Sequence, residues 1–282
     1  MRIISVHERL AERSGAKILI VGPSGVGKTS LLKTLGDDLL STTLFIDIEA
    51  GDQAVADVPV ACVRPRTWDD CRDLACVLGG PNPALPPTAA YSKAHFDVVA
   101  ASGDAVRLAS YRVLFVDSLT AASRLSFTHA EQQPESFNER GRKDLRSTYG
   151  LHARQMIGWL NQLQFARGKN VIFVGILEKE IDEFKQVHWD LQIDGAKTGK
   201  ELPGIVDEIL TMNYVDFGDG QQVRALICTQ PNQWGYPAKD RAGKLDLLEE
   251  PDLGKLLAKI KANVPRKPVD HSFPPSATTE AA

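Results

Sequence analysis

None of the four cysteines, Cys62, Cys71, Cys76 and Cys228, stands in a C-x-x-C pair, and no signal peptide precedes the first strand. A reducing cytoplasm and structural thiols are therefore expected. Apolar runs stop at strand length, well short of the ~20 residues a membrane span needs, so no membrane association is expected. Positive charge is not in excess: 33 Lys and Arg stand against 36 Asp and Glu, for a net charge of -3. That excludes a chain coated in positive charge and leaves nucleic-acid contact to a local groove. No internal repeat occurs. With 43% hydrophobic and 24% charged residues, the 282-residue chain is neither fibrous nor disordered. It is long enough to bury a substantial core in one domain or two.

What is present begins with short elements. Residues 5–14 pattern as an amphipathic helix, Lys17 to Val21 as a buried strand, and Thr29 to Leu35 as a helix stopped by Gly36. "TLFIDIEAG" (43–51) reads as a strand ending in acids, and Val58 to Val63 as another. Thr67 to Leu78 reads as a helix capped by Thr67. This βαβ order predicts a parallel sheet. The Gly- and Pro-rich 79–97 segment predicts a surface insertion. Strands follow at 111–117 and 170–177, with a helix from about Leu151 to Ala166 between them. Residues 186–193 alternate as a half-exposed strand. "EILTMNYVDFGDGQQVRALICTQ" reads as two strands around Gly218-Asp219-Gly220, and Leu253 to Ala262 as a last helix. Residues 1–264 are expected to form a single domain and 265–282 a disordered tail.

"KILIVGPSGVGKTSLLKTL" (17–35) carries the chemistry. Gly22, Pro23, Ser24, Gly25, Val26, Gly27, Lys28, Thr29 and Ser30 fit the G-x-x-x-x-G-K-[ST] loop between a strand and a helix. Glycines let the backbone N–H groups wrap a phosphate chain, Lys28 reaches the β and γ phosphates, and Thr29 binds Mg²⁺. The second half of such a site is an acid at the end of a buried strand, which Asp117 after "VLFV" supplies. Glu49 is either the base that activates water or a solvated carboxylate capping its strand. Asp47 lies two residues earlier on the same face.

Three segments together resemble the RecA-type recombinase core. "GPSGVGKTS" is similar to its phosphate loop, "LFIDIEAG" to the strand whose glutamate is its catalytic base, and "VLFVDSLTAAS" to its Walker B strand. The resemblance implies a three-layer α/β fold, a RecA-like P-loop NTPase with a mostly parallel central sheet and a C-terminal antiparallel β extension. It implies ATP and Mg²⁺ as cofactors and Glu49 as catalytic base. It extends to small phage ATPases of recombination and single-strand annealing, which would place the protein in a host cytoplasm. "AKDRAGKL" (238–245) resembles the Lys-x-Arg finger of such cores, implying that Lys239 and Arg241 reach a neighbouring subunit's nucleotide; the alternative is a polar surface turn. Where RecA proteins carry a polar sensor at the end of a later strand, this chain has Ile176 and Leu177.

The implied partners are single-stranded DNA, a homo-oligomer in ring or filament form, and an ssDNA-binding protein. Family geography places DNA contacts in two mobile loops. The first, 124–150, offers Arg124, Arg140, Arg142, Lys143 and Arg146, with Phe127, Phe137 and Tyr149 for base stacking. The second, 179–200, offers Lys179, Lys185, Trp189, Lys197 and Lys200. Both also hold acids, so solvated loops remain the alternative. Two other functions stand open: a P-loop small-molecule kinase with 124–150 as its arginine lid, and a non-hydrolysing ATP-gated binding module.

Overall fold

The computed structural model describes residues 3–262 apart from Arg13, Ser102, Gly103, Asp182, Phe184, Gln186, Phe217 and Asp219. The expected tail at 265–282 lies outside the described residues, as does Asp219 of the Gly218–Gly220 turn. In chain order the elements are α1 (Val6–Ala11), β1 (Lys17–Gly22), α2 (Asp37–Leu40), β2 (Thr43–Asp47), β3 (Ala61–Val63), α3 (Trp68–Gly79), α4 (Lys93–Ala100), α5 (Ala105–Ser110), β4 (Val113–Asp117) and α6 (Leu119–Gln132). There follow α7 (Leu145–Gln164), β5 (Asn170–Ile181), β6 (Val187–Leu191), α8 (Ala196–Ile205), β7 (Glu208–Asp216), β8 (Gln222–Ile227), β9 (Lys239–Asp240), β10 (Leu248–Glu249) and α9 (Leu253–Lys261).

The sheet runs β10-β8-β7-β1-β5-β4-β2-β3, with β6 paired to β5 and β9 to β7. From β7 to β3 the neighbours are parallel, whereas β8, β9, β10 and β6 pair antiparallel. Strands β1, β2 and β4 are buried along their whole length, as a parallel sheet covered on both faces requires. One face packs on α3, α6, α7 and α8 through Trp68, Trp159, Leu160 and Phe173. The other packs on the 3₁₀ turn Thr29–Thr34, α2 and α9 through Leu31, Leu32, Phe45 and Leu256. This is the expected three-layer α/β fold with an antiparallel extension.

Several local expectations need correction. The segment after the phosphate loop closes as a 3₁₀ turn rather than an α-helix. The 79–97 segment is not wholly superficial: Tyr91 and Ser92 are buried, and Ser92 caps α4 by accepting from His95 N–H at 3.1 Å. Much of 124–150 is helical rather than loop. α6 runs to Gln132, and α7 begins at Leu145, where the Asp144 carboxylate accepts from Arg146 and Ser147 N–H. The 179–200 segment is likewise occupied by the end of β5, by β6 and by α8.

Two charged residues sit deep at the N-terminal ends of the strands. Glu208 is 1% exposed, accepts from the N–H groups of Arg241 (3.0 Å) and Ala242 (3.1 Å), and burial pushes its carboxyl up to about 7. Lys17 is 4% exposed, donates to the carbonyls of Gly15, Ala166 and Lys169, and burial pulls its ammonium down to about 8. A carboxyl raised on folding costs stability once it ionises in the fold, so Glu208 lowers stability as pH climbs toward 7. An ammonium lowered on folding costs stability while it is charged, and that cost fades as pH rises above 8. The melting temperature is therefore expected to dip between about pH 7 and 8. A calorimetric scan from pH 5 to 9 checks this; a flat or peaked profile there contradicts the assignment.

Candidate nucleotide site

β1 leaves the sheet at Gly22, where a Cβ would overlap the Met212 carbonyl oxygen of the adjacent β7. No side chain fits at that approach. Gly27 turns the loop at φ 97°, a left-handed conformation that favours glycine. The loop then delivers Lys28 and Thr29 to the rim formed by the C-terminal ends of the strands. Lys28 Nζ donates to the carbonyls of Gly22 and Pro23, each at 2.8 Å. Burial lowers its pKa, opposed by the nearby Asp117 and Glu49 carboxylates.

Asp117 ends β4, is 2% exposed, and accepts the Thr29 hydroxyl proton at 2.5 Å. Burial raises it to about 6, with Glu49 and Asp47 raising it further and the Thr29 bond opposing them. Directly across the parallel pairing stands Asp47. Its Oδ1 accepts from Gly51 N–H at 2.9 Å, while Oδ2 has no hydrogen-bond partner among the described residues; the Arg64 guanidinium is 3.6 Å away. β2 stops at Asp47, so alternation does not carry to Glu49: Asp47 is buried and Glu49 exposed, against the expectation of a shared face. The backbone fixes Glu49 instead. The N–H groups of Ile48 and Glu49 both donate to the Asp117 carbonyl, at 2.7 and 3.2 Å.

Lys28, Thr29, Ser30, Glu49 and Asp117 thus border one cavity of about 300 Å³, with Ser24, Gly25 and Gly27 on its loop side. Pro23 and Val26 shape the loop behind it. The donor set suits a magnesium ion: the Thr29 hydroxyl and the Asp117 carboxylate meet at the cavity with Glu49 on its border, all hard oxygens. Thr29 and Asp117 are the residues that would hold it. When bound, Mg²⁺ supplies charge neutralisation for phosphate oxygens.

The remaining candidates lie elsewhere. Lys239 and Arg241 sit by the N-terminal end of β7, the opposite end of the strands from the loop. Lys239 Nζ donates to the carbonyls of Pro203 and Val206, and Arg241 Nη1 to Asp207 at 2.9 Å. Neither reaches the cavity of its own chain. Arg140 and Arg142 are exposed in a turn organised by Asn138 Oδ1, which accepts from both their N–H groups. Lys143 pairs with Glu131, and Arg146 lies in the first turn of α7. Lys197 and Lys200 are exposed on α8. Phe127 is not a free stacking platform: its ring lies 4.9 Å from that of Tyr149 and 5.7 Å from that of His152. Trp189 is engaged with Tyr236 at 4.7 Å. Ile176, at the sensor position, borders the cavity, and its N–H donates to the Thr120 hydroxyl at 3.2 Å.

Sequence reading missed Arg224. From β8 its Nη1 donates to the Val26 carbonyl at 3.4 Å, and a Cβ on Gly27 would overlap its guanidinium. No motif marks it, because strand pairing alone brings it to the loop.

A mostly parallel sheet with the phosphate loop at the end of β1, and Asp117 two strands away at the end of β4, defines a P-loop NTPase core of the RecA type. Residues 14–242 match the AAA domain family, and the chain belongs to that family. No curated protein matches. Among solved structures, a RadB recombinase is similar at 16% identity, covering 76% of this chain and 81% of that one, with a TM-score of 0.36. A DnaB-like replicative helicase, solved in a study of its interactions with primase, is similar at 11% identity with a TM-score of 0.35. It covers 82% of this chain, which spans 53% of the helicase chain. No helix among the described residues is long and apolar enough to cross a membrane.

Proposed function

We propose that the protein is an Mg²⁺-dependent ATP hydrolase that acts as an oligomer on single-stranded DNA, in phage recombination or strand annealing, with residues 1–264 as one RecA-like unit. The observation that carries this reading is the convergence of Lys28, Thr29, Asp117 and Glu49 on one cavity. It combines a phosphate cradle, a metal-binding pair and a carboxylate free to take a proton. For the kinase alternative, 124–150 would have to close as a lid, and helices α6 and α7 occupy much of it.

The DNA-binding part is supported by exposed cations on neighbouring elements. A Cβ at Gly195, which caps α8, would lie 3.3 Å from the Tyr149 ring in α7, so Arg146 and Lys197 come from adjacent helix starts. Arg140 and Arg142, exposed in the turn before α7, and Lys200, exposed on α8, are proposed to add to these contacts, with an ssDNA-binding protein as a further partner. Lys239 and Arg241 are proposed to stabilise phosphate charge in a neighbouring subunit, exchanging their present partners for that contact.

Phosphate release by the purified protein, with and without ssDNA, tests the core of the proposal. Release that requires Mg²⁺ and changes with ssDNA is expected. Tight ATP binding without release would favour a non-hydrolysing gated module. Sedimentation with bound nucleotide tests the finger: a strictly monomeric chain with full turnover removes Lys239 and Arg241 from the mechanism.

A further inference from the structure

The groups arranged for phosphate and metal all lie to one side of the loop. Asp117 comes from β4 and Glu49 follows β2, and both strands lie beyond β5 as seen from β1. On the other side of β1 stand β7 and β8. A nucleotide whose terminal phosphate lies among Lys28, Thr29 and Asp117 must lead its nucleoside end away from β4, across the loop toward β7 and β8.

That flank holds a pair of side chains outside the lining of the phosphate cavity. β1 ends beside Met212, and β7 continues past it to Tyr214, which pairs directly with Arg224 of β8. Residues paired across a ladder share a face, and alternation puts Tyr214 and Arg224 on the same face as Met212 and Leu226. Those two pack in the core layer that includes Val26 and Leu31, so this is the face the loop occupies. Tyr214 is 52% exposed. Arg224 is half-buried against the loop, and among the described residues no carboxylate lies within ion-pair distance of it. One of its five N–H donors is directed at Val26; the others suit a polar ligand. An exposed phenol ring beside a guanidinium plane is a combination that stacks on and hydrogen-bonds to a heteroaromatic base.

We infer that Tyr214 and Arg224 receive the nucleoside end of the bound nucleotide, Tyr214 stacking on the base and Arg224 donating to the ribose–base portion. This rests on the nucleotide-binding reading above and adds to it a nucleoside subsite built by the β7–β8 hairpin. Gly27 is part of that subsite, because the Arg224 guanidinium fills the space a side chain there would need.

Calorimetric titration of wild type, R224A, Y214A, Y214F and K28A with Mg-ATP and with Mg-tripolyphosphate separates the possibilities. Wild type is expected to hold ATP more tightly than tripolyphosphate. R224A and Y214A should each weaken ATP binding about tenfold while leaving tripolyphosphate within about twofold, and Y214F should stay near wild type. Equal losses for both ligands would mean that Arg224 only braces the loop, and would overturn the inference. So would undiminished ATP binding in R224A and Y214A. K28A should weaken both ligands; if it weakens neither, the phosphate-loop reading fails, independently of the hairpin.

Discussion

Glu49→Gln is expected to slow ATP turnover about a thousandfold, the middle of the range for losing a positioned general base, while ATP affinity stays within about threefold. The prediction follows from how Glu49 is held. Hydrogen bonds from the Ile48 and Glu49 N–H groups to the Asp117 carbonyl tie the segment after β2 to the end of β4. Asp47 secures the far side of the turn by accepting from Gly51 N–H, and Ala50 between them adopts φ 57°. The backbone therefore stays in place whichever side chain stands at 49, and Gln keeps the size and shape of Glu and one acceptor oxygen without its ability to take a proton. Asp47 is out of reach of the cavity, being 1% exposed and absent from its lining. Steady-state phosphate release and equilibrium ATP binding on the same preparation check the split. A normal rate in Glu49→Gln would remove Glu49 from the chemistry, and a parallel loss of affinity would make it a binding residue.

Much of this arrangement was legible in the sequence because local signals and tertiary structure agree. "KILIV" is apolar throughout because β1 is covered on both faces, and the loop glycines stand where the backbone needs them. Thr67 marked the start of α3, where its hydroxyl and the Asp70 carboxylate cap each other's backbone N–H groups. The failures have equally physical causes. α7 begins at Leu145, six residues before the expected start, because its first turn faces solvent and carries polar residues without apolar spacing; Asp144 capping sets its start. β5 continues through Glu178, Lys179 and Glu180 because β6 pairs with it, and a solvated antiparallel hairpin needs no apolar run. Asp47 and Glu49 separate because the strand ends between them. Arg224 meets Val26 across 198 positions of chain, a distance over which no periodicity or motif operates.

The two faces of the sheet should also separate stability from nucleotide binding, and Trp159→Ala tests this with a loss of about 4 kcal/mol, within the range for removing a buried aromatic. Trp159 on α7 is 2% exposed, with its ring 5.9 Å from that of Trp68 and 6.1 Å from that of Phe173. Its indole N–H donates to the Cys71 carbonyl at 3.0 Å. It therefore joins α3, α7 and β5, and alanine would leave a cavity that these rigid neighbours cannot close. Against a typical total of roughly 5–15 kcal/mol the loss is large but survivable in the cold. Trp159→Phe, which keeps an aromatic ring but not the N–H, should lose about half as much. Urea midpoints of the three proteins give the series, and a change below about 1 kcal/mol in the alanine variant would show that this cluster does not hold α7 to the sheet. The phosphate loop packs in the other layer, on Val26, Leu31 and Leu32. Folded Trp159→Ala should accordingly bind ATP near wild-type affinity at low temperature. A large loss of affinity in protein that is still folded would mean that the sheet transmits strain from one face to the other.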